Sequence, residues 1–116
     1  MEAEVSARLL LGVSKYGHGV RVNDNTRTWG TRANSWFEMA REEFLDAVVY
    51  VVADYIRTGR ISRDGVSQME DKYGPPTTPD DNGLIMYIIR EFRQMEACRH
   101  KIILWNLMNM LRITRD

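Results

Sequence analysis

The chain has 116 residues, 44% of them hydrophobic and 28% charged, a composition that excludes intrinsic disorder and fits one globular domain over residues 1–116. Sixteen Lys and Arg balance 16 Asp and Glu, so the overall charge attracts neither nucleic acid nor an anionic membrane surface. The single cysteine, Cys98, excludes an internal disulfide and a multi-cysteine zinc site, which favours a reducing compartment.

The opening "MEAEVSARLLLGVSKYG" begins with acids and holds too short a leucine run for a signal-peptide core, and the charge-free stretch 47–53 is far short of a membrane span. A cytoplasmic protein without membrane contact is expected. Val5, Leu9, Val13 and Tyr16 recur at helical spacing and Gly17 follows as a stop, so a first helix is predicted over residues 3–16. Residues 17–35, "GHGVRVNDNTRTWGTRANS", have no helical period and read as a long loop of the kind that usually carries function. Their glycines lack the order of a phosphate-binding P-loop.

The strongest predicted helix begins with "WFEMAREEFLDAVVYVVADY". Ser35 stands at the N-cap, Glu38 in capping-box position and Gly59 at the end. At ~100° per residue, Glu38, Glu42 and Asp46 align on one face with Glu43 and Asp54 at its flank. Phe37, Phe44, Leu45, Val48, Val51 and Val52 fill the opposite side. Met39, Val49, Tyr50 and Ala53 beside the acids imply half-buried surroundings for them. Like charges one turn apart repel, so water, distant basic groups, raised pKa values or divalent cations must relieve them. Carboxylates spaced three and four apart on a helix can jointly hold Mg²⁺ or Mn²⁺. In the plainer reading Glu38 only caps the helix and the other acids are solvated.

A short helix is predicted around residues 66–72, ended by Gly74, Pro75 and Pro76. A long helix then starts at Thr78, with Pro79 in its first turn. Its apolar seam, Leu84, Ile88, Phe92, Met95, Ile102, Trp105 and Leu111, suits packing against another helix or another subunit. Cys98 and the methionines 86, 95, 108 and 110 are expected in the core, and His100 is expected to pair with Glu96 one turn earlier. Neither His18 nor His100 suits a hard-metal site. The predicted class is all-α.

The order of acids in "EEFLDAVVY" resembles the MazG-like, all-α nucleoside triphosphate pyrophosphohydrolases, and "GVSKYGHG", "NSWFEMAREEFLDAVVYVVADYIR" and "NGLIMYIIREFRQMEA" together are similar to small phage-encoded members. The resemblance implies a helical bundle completed by oligomerisation as a dimer or tetramer. It implies Mg²⁺ or Mn²⁺ on acidic side chains, and hydrolysis of a purine deoxynucleoside triphosphate, dGTP first, to the monophosphate and pyrophosphate. Glu43 and Asp46 match the family's Glu-x-x-Asp half and Tyr50 its following aromatic. The family's earlier Glu-x-x-Glu pair has no counterpart between residues 12 and 28. Glu38 and Glu42 take that role in this sequence, either of them serving as general base, with further ligands from Glu70, Asp71, Asp81, Glu91 or a neighbouring subunit. This departure leaves the number of ions open.

A triphosphate needs cations. Lys15, Arg21, Arg27 and Arg32 are candidates, or plain exposed bases. Trp29 can stack on a nucleobase or anchor its loop in the core. Asn34 can read a base edge, although a helix cap is the favoured reading. The competing function is a non-catalytic helical oligomerisation or partner-binding module. A nucleic-acid-binding protein would need a basic face that the acidic helix does not advertise.

Overall fold

Helices carry the fold of the computed structural model, which describes residues 1–61, 68–96 and 98–115, with residues 68 and 71 described by backbone alone. No strand occurs among them, as the sequence pattern predicts. The chain groups into two compact units, residues 1–35 and 36–116, taken here in turn.

In the first unit, α1 (Glu2–Tyr16) starts with two acids and ends with Lys15, charges that complement the helix dipole. Gly17 stops it in the left-handed region at φ 80°, where a side chain would be strained, and its N–H donates to the Val13 carbonyl. No residue of α1 is buried, and the stripe Val5, Leu9, Val13 and Tyr16 is exposed.

The following segment is more ordered than the expected loop. A 3₁₀ turn, Thr26–Trp29, opens with Asn25, whose side chain accepts from the Arg27 N–H at 3.0 Å. Thr26 is its hub: the hydroxyl lies 2.8 Å from that of Thr31 and accepts from the Ser35 N–H at 2.7 Å, while Asn34 Oδ1 accepts from the Thr26 N–H at 3.0 Å. The Thr31 hydroxyl donates to the Ala33 carbonyl. Short polar side chains here satisfy backbone groups that no helix or sheet serves, which is why Thr26 and Thr31 are buried without an apolar core around them.

The second unit is built on α2 (Trp36–Arg60). Its valines suit a strand by propensity, but Val48, Val52 and Ile56 recur every four residues and bury one helical face, and that burial decides the matter. Three shorter helices cover this face: α3 (Gln68–Tyr73), α4 (Asn82–Arg90) and α5 (Arg99–Ile113). They supply Met69, Ile88 and Leu104, and Met95 joins from the turn between the last two. The start of the expected helix around residues 66–72 lies outside the described residues, and its end at Gly74 is observed, with φ 82° and an N–H donating to the Glu70 carbonyl.

The expected single long C-terminal helix is two helices. A 3₁₀ turn, Phe92–Gln94, and extended backbone at Met95 and Cys98 separate α4 from α5. The physical reason is phase. In one continuous rod Ile88 and Leu104, at ~100° per residue, would point about 160° apart, so only a broken rod can turn both toward α2. The break resets the phase of the seam. Leu84, Ile88, Phe92 and Met95 stay on the core side, but α5 turns in Leu104, Leu107, Met108 and Leu111 and leaves Ile102 and Trp105 64% and 48% exposed. Met86 and Met110 are exposed as well, and Cys98 is half-buried just before α5 rather than in the core. Nor does the helix start at Thr78. Asp80 accepts from the Asn82 N–H at 3.1 Å and so sets the first turn of α4 there.

Candidate functional site

The acids of α2 lie on the half of the helix that precedes its buried face. Glu38 is half-buried, and Glu42, Glu43 and Asp46 are exposed. Of the expected half-buried surroundings only Met39 is so found: Val49 and Ala53 are exposed and Tyr50 is 68% exposed. The apolar run around the acids looked like core in the sequence, but α3, α4 and α5 all pack toward Val48, Val52 and Ile56. Phe37 and Leu45, expected on the covered side, are exposed with the acids.

Among the described residues, Glu42, Glu43 and Asp46 make no ion pair or side-chain hydrogen bond. Asp54, at the flank of the stripe, is engaged. Its Oδ2 lies 2.6 Å from His100 Nε2, and this hydrogen bond holds its carboxyl below the ordinary carboxylate range. His100 therefore pairs with Asp54 across the fold and not with Glu96. Two of the further candidate ligands are also taken. Asp81 is gripped by Arg60 through two contacts of 2.7 and 3.2 Å, which lower its pKa, and Glu91 accepts from Gln94 Nε2 at 3.3 Å. Glu70 is exposed on α3, and the Asp71 side chain lies outside the described residues.

In the first unit, Lys15 Nζ sits 5.3 Å from the centre of the Tyr16 ring, and Arg27 is exposed. Trp29 is 44% exposed, so the alternative of a loop anchor in the core falls. The favoured reading of Asn34 as the cap of the next helix is corrected, because its oxygen is given to the Thr26 N–H. Arg21 Nε donates to His18 Nδ1 at 3.1 Å.

One cluster escaped sequence reasoning. A cleft of about 290 Å³ is lined by Tyr55, Gly59, Met69, Tyr73, Cys98 and His100. The Tyr55 and Tyr73 hydroxyls stand 3.5 Å apart, and burial, reinforced by this contact, raises the Tyr55 pKa. Tyr55 also meets the His100 ring edge-on. Tyr55 and His100 lie far apart in the chain, so no local spacing announces them.

The exposed oxygens of Glu42, Glu43 and Asp46 are the hard donors that Mg²⁺ and Mn²⁺ prefer. Among the described residues no three His, Cys, Asp or Glu side chains come close enough to enclose an ion. No helix among the described residues is long and apolar enough to cross a membrane. Compared with known proteins, the chain matches no family model, and no curated protein sequence or solved structure is significantly similar to it.

Proposed function

We propose that this chain is a metal-dependent hydrolase that cleaves a (deoxy)nucleoside triphosphate, dGTP first, between the α- and β-phosphates, and that it works as a homo-oligomer. The observation that carries the reading is the row Glu42, Glu43 and Asp46, exposed and unpaired among the described residues. Glu42 and Asp46 are one turn apart, and leaving them unrelieved costs roughly 0.2–0.5 kcal/mol even in water. They are the residues that would hold Mg²⁺ or Mn²⁺, with Glu43 beside them. When bound, such an ion neutralises phosphate oxygens and lowers the pKa of a coordinated water. Glu38, half-buried one turn before Glu42, is assigned the proton of the attacking water, and water and triphosphate become monophosphate and pyrophosphate. The exposed Tyr50 ring, one turn after Asp46, offers a flat surface to the base. The reading rests on the second unit alone and assigns no role to Lys15, Arg27, Trp29 or Asn34.

Thermal melting tests it. With few protein ligands, the ion and the nucleotide should bind together, so Mn²⁺ plus a non-hydrolysable dGTP analogue should raise the melting midpoint above the effect of either alone. At a hundred times the dissociation constant the gain is about 2.7 kcal/mol. Asp46→Asn should abolish the joint effect. An unchanged midpoint would favour the second reading, a non-catalytic helical oligomerisation module, which draws on the apolar outer side of α5.

A further inference from the structure

α5 is apolar on two sides. The inner side, Leu104, Leu107, Met108 and Leu111, belongs to the core. The outer side presents Ile102, Ile103, Trp105, Met110 and Ile113, all exposed, with Asn106, Asn109 and Arg112 lying between them.

The order of the outer residues says what covers them. Ile102, Asn106, Asn109 and Ile113 follow at steps of four, three and four, the spacing of a coiled-coil seam. The series Ile, Asn, Asn, Ile also reads the same from either end. A surface complementary to its own reverse is what a two-fold interface between identical chains requires.

We propose that α5 pairs antiparallel with α5 of a second copy of this chain through this face. Ile102 of each copy meets Ile113 of the other, and Asn106 meets Asn109. Asn106 Nδ2 already donates to the Ile102 carbonyl at 2.9 Å, which leaves its Oδ1 to accept from the other copy's Asn109 amide. On one flank Ile103 packs against Met110. On the other, the Arg112 guanidinium lies over the Trp105 ring, whose opposite face is stacked on Phe92 with the two planes 10° apart. Antiparallel pairing sets Arg99, at the start of one α5, beside the carbonyl end of the other, where a cation is favoured. A parallel pair would instead align the two dipoles. The pairing does not depend on the hydrolase reading.

Cysteine cross-linking of the full chain tests it in a Cys98→Ser background. Residues 102 and 113 are separated by roughly 16 Å along one helix, too far for a disulfide within a chain. The Ile102→Cys/Ile113→Cys variant should therefore oxidise to covalent dimers, and either single variant should give few. Single variants that cross-link as well as the double would mean a parallel pair, and no cross-linking in any variant would mean no pair; either overturns the proposal. In sedimentation velocity the wild type should run as a dimer or a multiple of it. Ile113→Glu, with an unchanged helical spectrum, should raise the dissociation constant roughly a hundredfold, since each substitution acts twice in the two-fold interface. A dimer that tolerates Ile113→Glu would also reject it.

Discussion

Gly59 looks like a helix stop in the sequence, yet α2 runs on to Arg60, and the glycine serves a close approach instead. A Cβ at this position would come within 2.5 Å of Met69 Cε and 3.3 Å of Met69 Cβ. In an exposed helix, Gly→Ala is worth about 1 kcal/mol of added stability. Here the contact with Met69 Cβ is not relieved by turning the flexible end of that side chain, so Gly59→Ala should cost about 1 kcal/mol net in chemical denaturation. A stabilised variant would show that α3 does not pack on Gly59. The α2 acids give the opposite lesson. Their spacing was legible, but their exposure was not, because an apolar run of valines fixes which residues seek a core and not which of them a short chain manages to cover.

The break between α4 and α5 has no glycine or proline to mark it, and a 3.5-residue seam read across it put Ile102 and Trp105 on the wrong side. What sets the break is that Ile88 and Leu104 must both face α2, a tertiary constraint that no local window holds. Within α4 the phase gives a sharp contrast: Ile88→Ala should lose about 2–5 kcal/mol and Met86→Ala less than about 0.5 kcal/mol, as Ile88 is fully buried and Met86 exposed. Two acid clasps join the elements, Asp81 to Arg60 and Asp54 to His100. Both carboxyls are held below their ordinary range when folded. Each therefore contributes stability that is fully present above about pH 4, the unfolded value, and is lost as the pH falls through the folded value. The Asp54→Asn/Asp81→Asn variant should melt lower than wild type near about pH 7 and lose less on acidification below about pH 4. Parallel acid melting curves for the two proteins would contradict this.

In the whole chain, the all-α class, α1 and the long α2 were legible because periodicity and stop residues are local signals. The Thr26 hub, the His100–Asp54 clasp and the tyrosine cleft join residues whose proximity only folding creates. The pyrophosphohydrolase reading draws on the order of acids in α2 and on their exposure in the folded unit. Its most direct test is pyrophosphate release over a panel of deoxynucleoside triphosphates with Mn²⁺, for the wild type and for Asp46→Asn. The expected result is pyrophosphate without orthophosphate, fastest from dGTP, with Asp46→Asn slower by about a hundredfold or more, the scale of losing a group that stabilises charge in the transition state. Undiminished release by Asp46→Asn, or no release from any nucleotide, would contradict it.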